Sequence, residues 1–440
     1  MPRAPILILT RLLICLTVAA LATACGGEVE APDARLSVAE SLGAPGGEAL
    51  EGYARATEVR PFLFPADHGP HPDFRTEWWY FTGNLAGDDG RRFGYQLTFF
   101  RTAVAPPPEA GTEPSEGEPG EAEVAAGRSA WRTRQVYMAH LAVTDAAGER
   151  FHAAERFSRG AAGLAGADVG GDGSGEGFRV WVEDWSAAEA AGGADEGIFP
   201  LRLRAGGDSM SIDLTLGAGD GWVAQGDRGL SRKGEGSGAS YYYSFPRMPT
   251  RGTLTVEGEV FAVEGSSWLD REWSTSLLAP GISGWDWFSL QLDDGREVIA
   301  FRLRGLGDGV RAEASPLGYA AIIPDVEEEA GRSPANATVA APPGQLPIRI
   351  LDARAAGLTV TGRWTSPASG VTWPSGWRLS FPDADLDLTL EPIFAAQELD
   401  ISFRYWEGAV RVTGTATGEP VTGWGYAELT GYGATGSRLR

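Results

Sequence analysis

Residues 79–97 read WYFTGNLAGDDGRRFGYQL, and residues 285–303 read WDWFSLQLDDGREVIAFRL. In the first stretch Trp79-Tyr80-Phe81 precedes an Asp89-Gly90 turn, after which Phe93, Tyr95 and Leu97 alternate with other residues. That is the pattern of a β-hairpin. In the second stretch Trp285-Asp286-Trp287-Phe288, Asp294-Gly295 and the run 298–303 repeat the plan. Both turns read Asp-Asp-Gly-Arg, at 88–91 and 293–296, a separation of 293 − 88 = 205 residues. Hairpins recur in any β protein, but a shared tryptophan-led start and a shared turn favour a repeat of two similar β domains.

Working outward, further strands are expected at 201–204, 211–216, 253–263, 379–381, 401–405 and 409–413, many separated by glycine-containing turns. The composition agrees, with 61 Gly and 15 Trp among 440 residues and little helical periodicity. One short helix is expected near 274–278. The predicted class is all-β, as sandwiches or barrels. Residues 104–129, 160–178 and 325–346 are too rich in Pro, Gly, Ala and Glu to bury a core, and they read as long flexible inserts. The domains are expected at 61–250 and 251–440.

The formal charge is 37 − 59 = −22, which repels phosphate backbones and argues against nucleic-acid binding. Much of the acid sits in the inserts: 104–129 alone carries six Glu. The two cysteines, Cys15 and Cys25, exclude a disulfide framework. Both fall in the first thirty residues. Arg3 and Arg11, the mostly apolar run 12–21 and then Ala22-Thr23-Ala24-Cys25 resemble a bacterial lipoprotein leader. The expectation is a signal peptide over 1–24, lipidation of Cys25 and a tether over 25–60. Gly26, not Asp, follows Cys25, so the expected location is the cell envelope, at the outer membrane on the periplasmic side.

No G-x-S-x-G elbow, P-loop, dinucleotide fingerprint or H-E-x-x-H motif occurs. His68 and His71 stand beside Asp67 and Asp73, but a third obvious ligand is lacking, so no metal is expected; these histidines would bond the loop backbone and wall a pocket. The most unusual segment is Ser267-Trp268-Leu269-Asp270-Arg271-Glu272-Trp273. In an extended strand Trp268, Asp270 and Glu272 share a face. A carboxyl flanked by indoles is poorly solvated, so its pKa rises and it can donate a proton near neutral pH. The alternative is an Arg271–acid ion pair that stitches a barrel. Tyr241 and Tyr243 share a face by alternation. With Glu77-Trp78-Trp79-Tyr80, Trp273, Trp285 and Trp287 they form either core or the lining of a long apolar pocket.

The run from Phe64 to Tyr80, Trp268-Leu269-Asp270-Arg271-Glu272-Trp273, Gly284-Trp285-Asp286-Trp287-Phe288, Tyr405-Trp406-Glu407-Gly408 and the run from Gly425 to Tyr432 resemble the motifs of a known family. It is the carotenoid 1,2-hydratase (hydroxyneurosporene synthase) and AttH-like group, and the resemblance covers about residues 60–435. It implies two lipocalin-like β-barrel domains packed together and a hydrophobic, isoprenoid-type ligand. In hydratase members water adds across a carbon–carbon double bond without a cofactor. Carried onto this chain, the resemblance makes Asp270 the proton donor, with Trp268, Tyr241 and Tyr243 stabilising the cation and positioning water. His68, His71, Glu77, Trp78, Trp79, Tyr80, Arg271, Glu272, Trp273, Trp285 and Trp287 complete the expected pocket. The alternatives are a lipid-anchored binding protein for a hydrophobic molecule and a secreted hydrolase, the latter without a visible nucleophile constellation. Oligomeric state is not specified.

Overall fold

The computed structural model describes residues 50–107, 133–170, 177–190, 197–233, 238–276, 278, 282–305, 315–316, 318–325 and 342–433. Cys15, Cys25, the expected leader and most of the 104–129 and 325–346 inserts lie outside these residues. Among the described residues there is no α-helix, and so none long and apolar enough to cross a membrane. The chain is all-β. The described residues form two large antiparallel sheets of 13 and 11 strands and a separate two-stranded ribbon.

The first sheet passes from Arg150–Arg159 through Gln135–Asp145, Arg92–Ala103 and Thr76–Gly87 to Glu259–Ser276 and Ala239–Val256. It continues through Met210–Leu216 and Leu201–Gly206 to the edge strand Ala165–Asp168. Period-2 burial is clean in Met210–Leu216, where Met210, Ile212, Leu214 and Leu216 point inward. Leu141 and Val143 near one edge share a core with Val180, Val182 and Trp185 near the other, so the sheet curls into a near-closed barrel. The second sheet is more open. Its central strands are Arg404–Ala416, Glu419–Leu429, Ile282–Leu292 and Glu297–Gly305, around a core that includes Trp373, Trp377 and Trp406.

The two quoted hairpins occupy corresponding places, Thr76–Gly87 with Arg92–Ala103 and Ile282–Leu292 with Glu297–Gly305. Gly90 and Gly295 adopt φ of 81° and 87° in their turns, the left-handed region where a side chain is strained. The sheets pack face to face. Tyr80, Tyr242 and Trp268 of the first share one buried cluster with Trp287, Ile299, Phe301 and Tyr426 of the second.

Several local expectations are corrected. Residues 253–263 are not one strand but two, because Glu257 and Gly258 take φ of 50° and 84° and turn the chain back on itself. Residues 274–276 extend the strand Glu259–Ser276 rather than starting a helix, since Ser274 pairs with Thr76 and Ser276 with Ala239. Within the 160–178 insert, Ala165–Asp168 pairs with Arg179–Val182; backbone pairing at an edge needs little apolar bulk. The segments expected at 401–405 and 409–413 merge into the single strand Arg404–Ala416. The chain changes sheet between Ser276 and Ile282, whereas the expected division was at 250/251, because both arms of the long hairpin stay in the first sheet.

Candidate functional site

The site follows from cross-strand register. Directly opposed residues of neighbouring strands point to the same face of a sheet. Tyr80 stands opposite Asp270, which stands opposite Ser244; Trp78 stands opposite Glu272, which stands opposite Tyr242. These two rungs face the second sheet. There, Phe301 opposes Trp287, Trp287 opposes Glu428 and Glu428 opposes Glu407. Trp285 and Leu303 form the next rung. Between the sheets lies a cavity of about 60 Å³, walled by Trp78, Tyr80, Phe100, Tyr242, Trp285, Trp287, Phe301 and Leu303. Its polar lining is Asp270, Glu272, Glu407, Glu428 and Lys233.

Asp270 is 3 % exposed. The Tyr242 hydroxyl donates to Oδ2 at 2.5 Å, and Oδ1 accepts from the Ser244 hydroxyl at 2.5 Å and the Trp268 indole N–H at 2.6 Å. Gln225 Nε2 donates to Ser244 Oγ at 2.9 Å, and Gln225 Oε1 accepts from Tyr319 at 2.9 Å, so the hydroxyl is held in place. Burial pushes the Asp270 carboxyl up to about 7; the bonds from Ser244, Tyr242 and Trp268 oppose this shift, and the nearby Glu272 adds to it. Glu272 is paired with Lys233 at 3.0 Å and accepts from Ser240. Across the cavity, burial pushes Glu428 up to about 8, helped by Asp270 and Glu272 and opposed by a bond from Trp285. Burial and the adjacent Glu428 also hold Glu407 well above the ordinary glutamate range, against a bond donated by the Tyr80 hydroxyl at 2.9 Å.

The structure therefore divides the expected site residues between two places. Trp78, Tyr80, Asp270, Glu272, Trp285 and Trp287 meet at the cavity. Trp268 gives Asp270 its N–H and sets its ring edge-on to Trp287, without joining the cavity wall. Tyr241 and Tyr243 do share a face, but it is the opposite one, directed into the first barrel; Tyr242 is the tyrosine that touches Asp270. His68, His71, Glu77, Trp79, Arg271 and Trp273 also lie on the barrel side. His68 Nδ1 lies 2.6 Å from the Tyr243 hydroxyl, and burial, then Arg271, lowers the His68 pKa to about 3. His71 stacks on Trp273 at 3.8 Å between ring centroids. Arg271 pairs with Glu77 rather than with Asp270 or Glu272, so the ion-pair alternative is realised with a different acid. The loop that begins with Phe62 fills this end of the barrel with aromatic core, packing on Trp222, Tyr243 and Trp273.

Tyr242, Ser244, Lys233, Glu407 and Glu428 were not expected. The signal for the two glutamates is present in the sequence: each is a lone acid in an aromatic strand segment, Tyr405-Trp406-Glu407 and Tyr426-Ala427-Glu428. Among the described residues no group of three His, Cys, Asp or Glu side chains is placed to hold a metal ion.

Two curled β sheets that enclose an aromatic, acid-lined cavity between them define a two-domain lipocalin-like protein. The chain belongs to the AttH-like family, whose sequence model matches residues 55–432. Its structure is similar to the crystal structure of an AttH protein from Nitrosomonas europaea, with 31 % identity and a TM-score of 0.65 over 86 % of this chain and 99 % of that one. It also shares its fold with kievitone hydratase from Nectria haematococca, at 17 % identity and a TM-score of 0.56 over 87 % of this chain and 96 % of that one. A search of curated protein sequences gives no match.

Proposed function

We propose that this protein hydrates a carbon–carbon double bond of a hydrophobic, isoprenoid-type molecule by cofactor-free acid catalysis, with Asp270 as the proton donor. One observation carries the reading: a fully buried carboxyl, raised to about 7, stands at an aromatic cavity between the sheets. The fold shared with a hydratase supports the same direction, as a likeness of fold. In the reaction Asp270 gives its proton to one alkene carbon and the other carbon becomes a cation. Water adds to that carbon, and the proton it loses returns to the Asp270 carboxylate. The π faces of Trp78, Trp285 and Trp287 favour the cation.

The test is to incubate the purified protein with isoprenoid alkenes and read the product by mass spectrometry. Wild type is expected to yield the alkene plus one water, and Asp270→Asn to yield none above background. A second reading, a binding protein that holds such a molecule without turnover, is favoured by one feature. All three hydrogen bonds at Asp270 are donated to it, which suits a carboxylate. Ligand retention with no product from wild type selects that reading.

The proposed setting is the cell envelope, with the protein held at the membrane by a lipid on Cys25. The apolar run at 12–21 and the small residues before Cys25 support it. Cys25→Ser is expected to move the protein from the membrane fraction to the soluble envelope fraction; equal membrane retention overturns the anchor.

A further inference from the structure

We infer that the Glu407–Glu428 corner of the cavity is a subsite for the positively charged centre of an organic cation. This rests on the cavity being a ligand site, and not on hydration. The two glutamates are directly opposed on neighbouring strands, the closest cross-strand relationship a sheet offers. Like charges at that spacing repel unless something positive joins them or one takes up a proton. The cavity's own cation does not serve them. Lys233 is tied to Glu272 on the other sheet and lies over the rings of Tyr242 and Phe301.

Glu407 is also incompletely used. Its Oε2 accepts from Tyr80, whereas Oε1 is buried, has no hydrogen-bond partner and belongs to a side chain that is 0 % exposed and lines the cavity. An acceptor left unpaired in such a place is costly in the absence of a ligand and gains most when one arrives. The indoles of Trp78, Trp285 and Trp287 line the same space. Acid and aromatic faces together are the chemistry that holds a quaternary ammonium group, or the cationic carbon of a protonated alkene.

The groups facing Glu407 are Glu428 beside it, the phenols of Tyr80, Tyr405 and Tyr426, and, across the cavity, Asp270, Tyr242 and the Glu272–Lys233 pair. Burial holds both glutamates toward the protonated form, so a bound cation draws out a proton. Binding then strengthens as pH rises, by up to tenfold per pH unit between 6 and 8 when one proton is released.

The probe is tetramethylammonium, whose charge does not titrate, with tert-butanol as a neutral control of similar bulk, both followed by tryptophan fluorescence. Tetramethylammonium is expected to bind at least tenfold more tightly at pH 8 than at pH 6, and more tightly than tert-butanol at pH 8. Glu407→Gln is expected to lower its affinity at least tenfold at pH 8, with tert-butanol binding unchanged. If that variant does not fold, the pH slope measured in Asp270→Asn, where Asp270 no longer titrates, and the neutral control still decide: a slope that vanishes with Asp270 overturns the subsite. Equal binding of both probes, binding of neither, or a flat pH profile overturns the subsite. Cation binding with no hydration of any alkene sinks the hydratase reading and leaves the subsite standing; hydration with no cation preference does the reverse.

Discussion

Asp270→Asn is expected to lower hydration by about 10²–10⁴-fold, the usual contribution of a positioned general acid. In barrier terms that is roughly 3–5 kcal/mol. Asparagine keeps the shape; its carbonyl oxygen in the Oδ1 place continues to accept from Ser244 and Trp268, its amide nitrogen then donates toward the Tyr242 hydroxyl, and it carries no readily transferable proton. Ligand binding should therefore survive while turnover does not. In the proposed reaction the reactive species of wild type is the neutral acid. Asp270 is raised to about 7, so the acid form dominates below that pH and is lost above it. Turnover should fall about tenfold per pH unit on the alkaline side. Hydration by Asp270→Asn at the wild-type rate would remove Asp270 from the chemistry.

Glu77→Ala is expected to destabilise the fold by about 3–5 kcal/mol, the cost of breaking a fully buried ion pair from one side. Glu77 is 0 % exposed and pairs with both Arg101 and Arg271. Burial alone would raise its pKa, but Arg101 and Arg271, with help from His71, hold it well below the glutamate range. Removing the carboxylate leaves two guanidiniums in the barrel interior. Arg101 keeps bonds to Gln135 at 2.6 Å and to the carbonyls of His71 and Phe74, and Arg271 keeps its place over the Trp79 ring at 3.9 Å, but neither retains a counter-charge there. Urea unfolding measures the difference. A change under about 1 kcal/mol would show that the network is not what anchors the loop over the barrel mouth. The sign of the pH dependence follows from the lowered pKa: the Glu77 contribution is present near neutrality and is lost as pH falls below the ordinary glutamate range.

Part of this architecture is legible in the amino-acid sequence. The period of two within a strand is local, so the sequence alone places Trp268, Asp270 and Glu272 on one face, and the two Trp-led hairpins read directly as paired strands. Register between strands is not local. It depends on how the long hairpin folds back and on the bulge between Phe245 and Met248, which lies between the turn and Tyr242 and shifts the pairing by one residue; it decides that Tyr242, not Tyr241 or Tyr243, meets Asp270. The same applies to His68, His71 and Glu77. Their clustering in sequence is real, but the face they occupy turns them into the barrel, where they build core. Glu407 and Glu428 lie more than 130 residues from Asp270 in the chain, and only the packing of one sheet on the other brings them to it.

The central claim is that Asp270 carries a proton near neutral pH at the wall of this cavity. Difference infrared spectroscopy between wild type and Asp270→Asn, titrated from pH 4 to 9, tests it most directly. A protonated-carboxyl band that belongs to Asp270 and disappears with a midpoint near pH 7 is expected. An Asp270 already ionised at pH 4–5, with no such band, would contradict it.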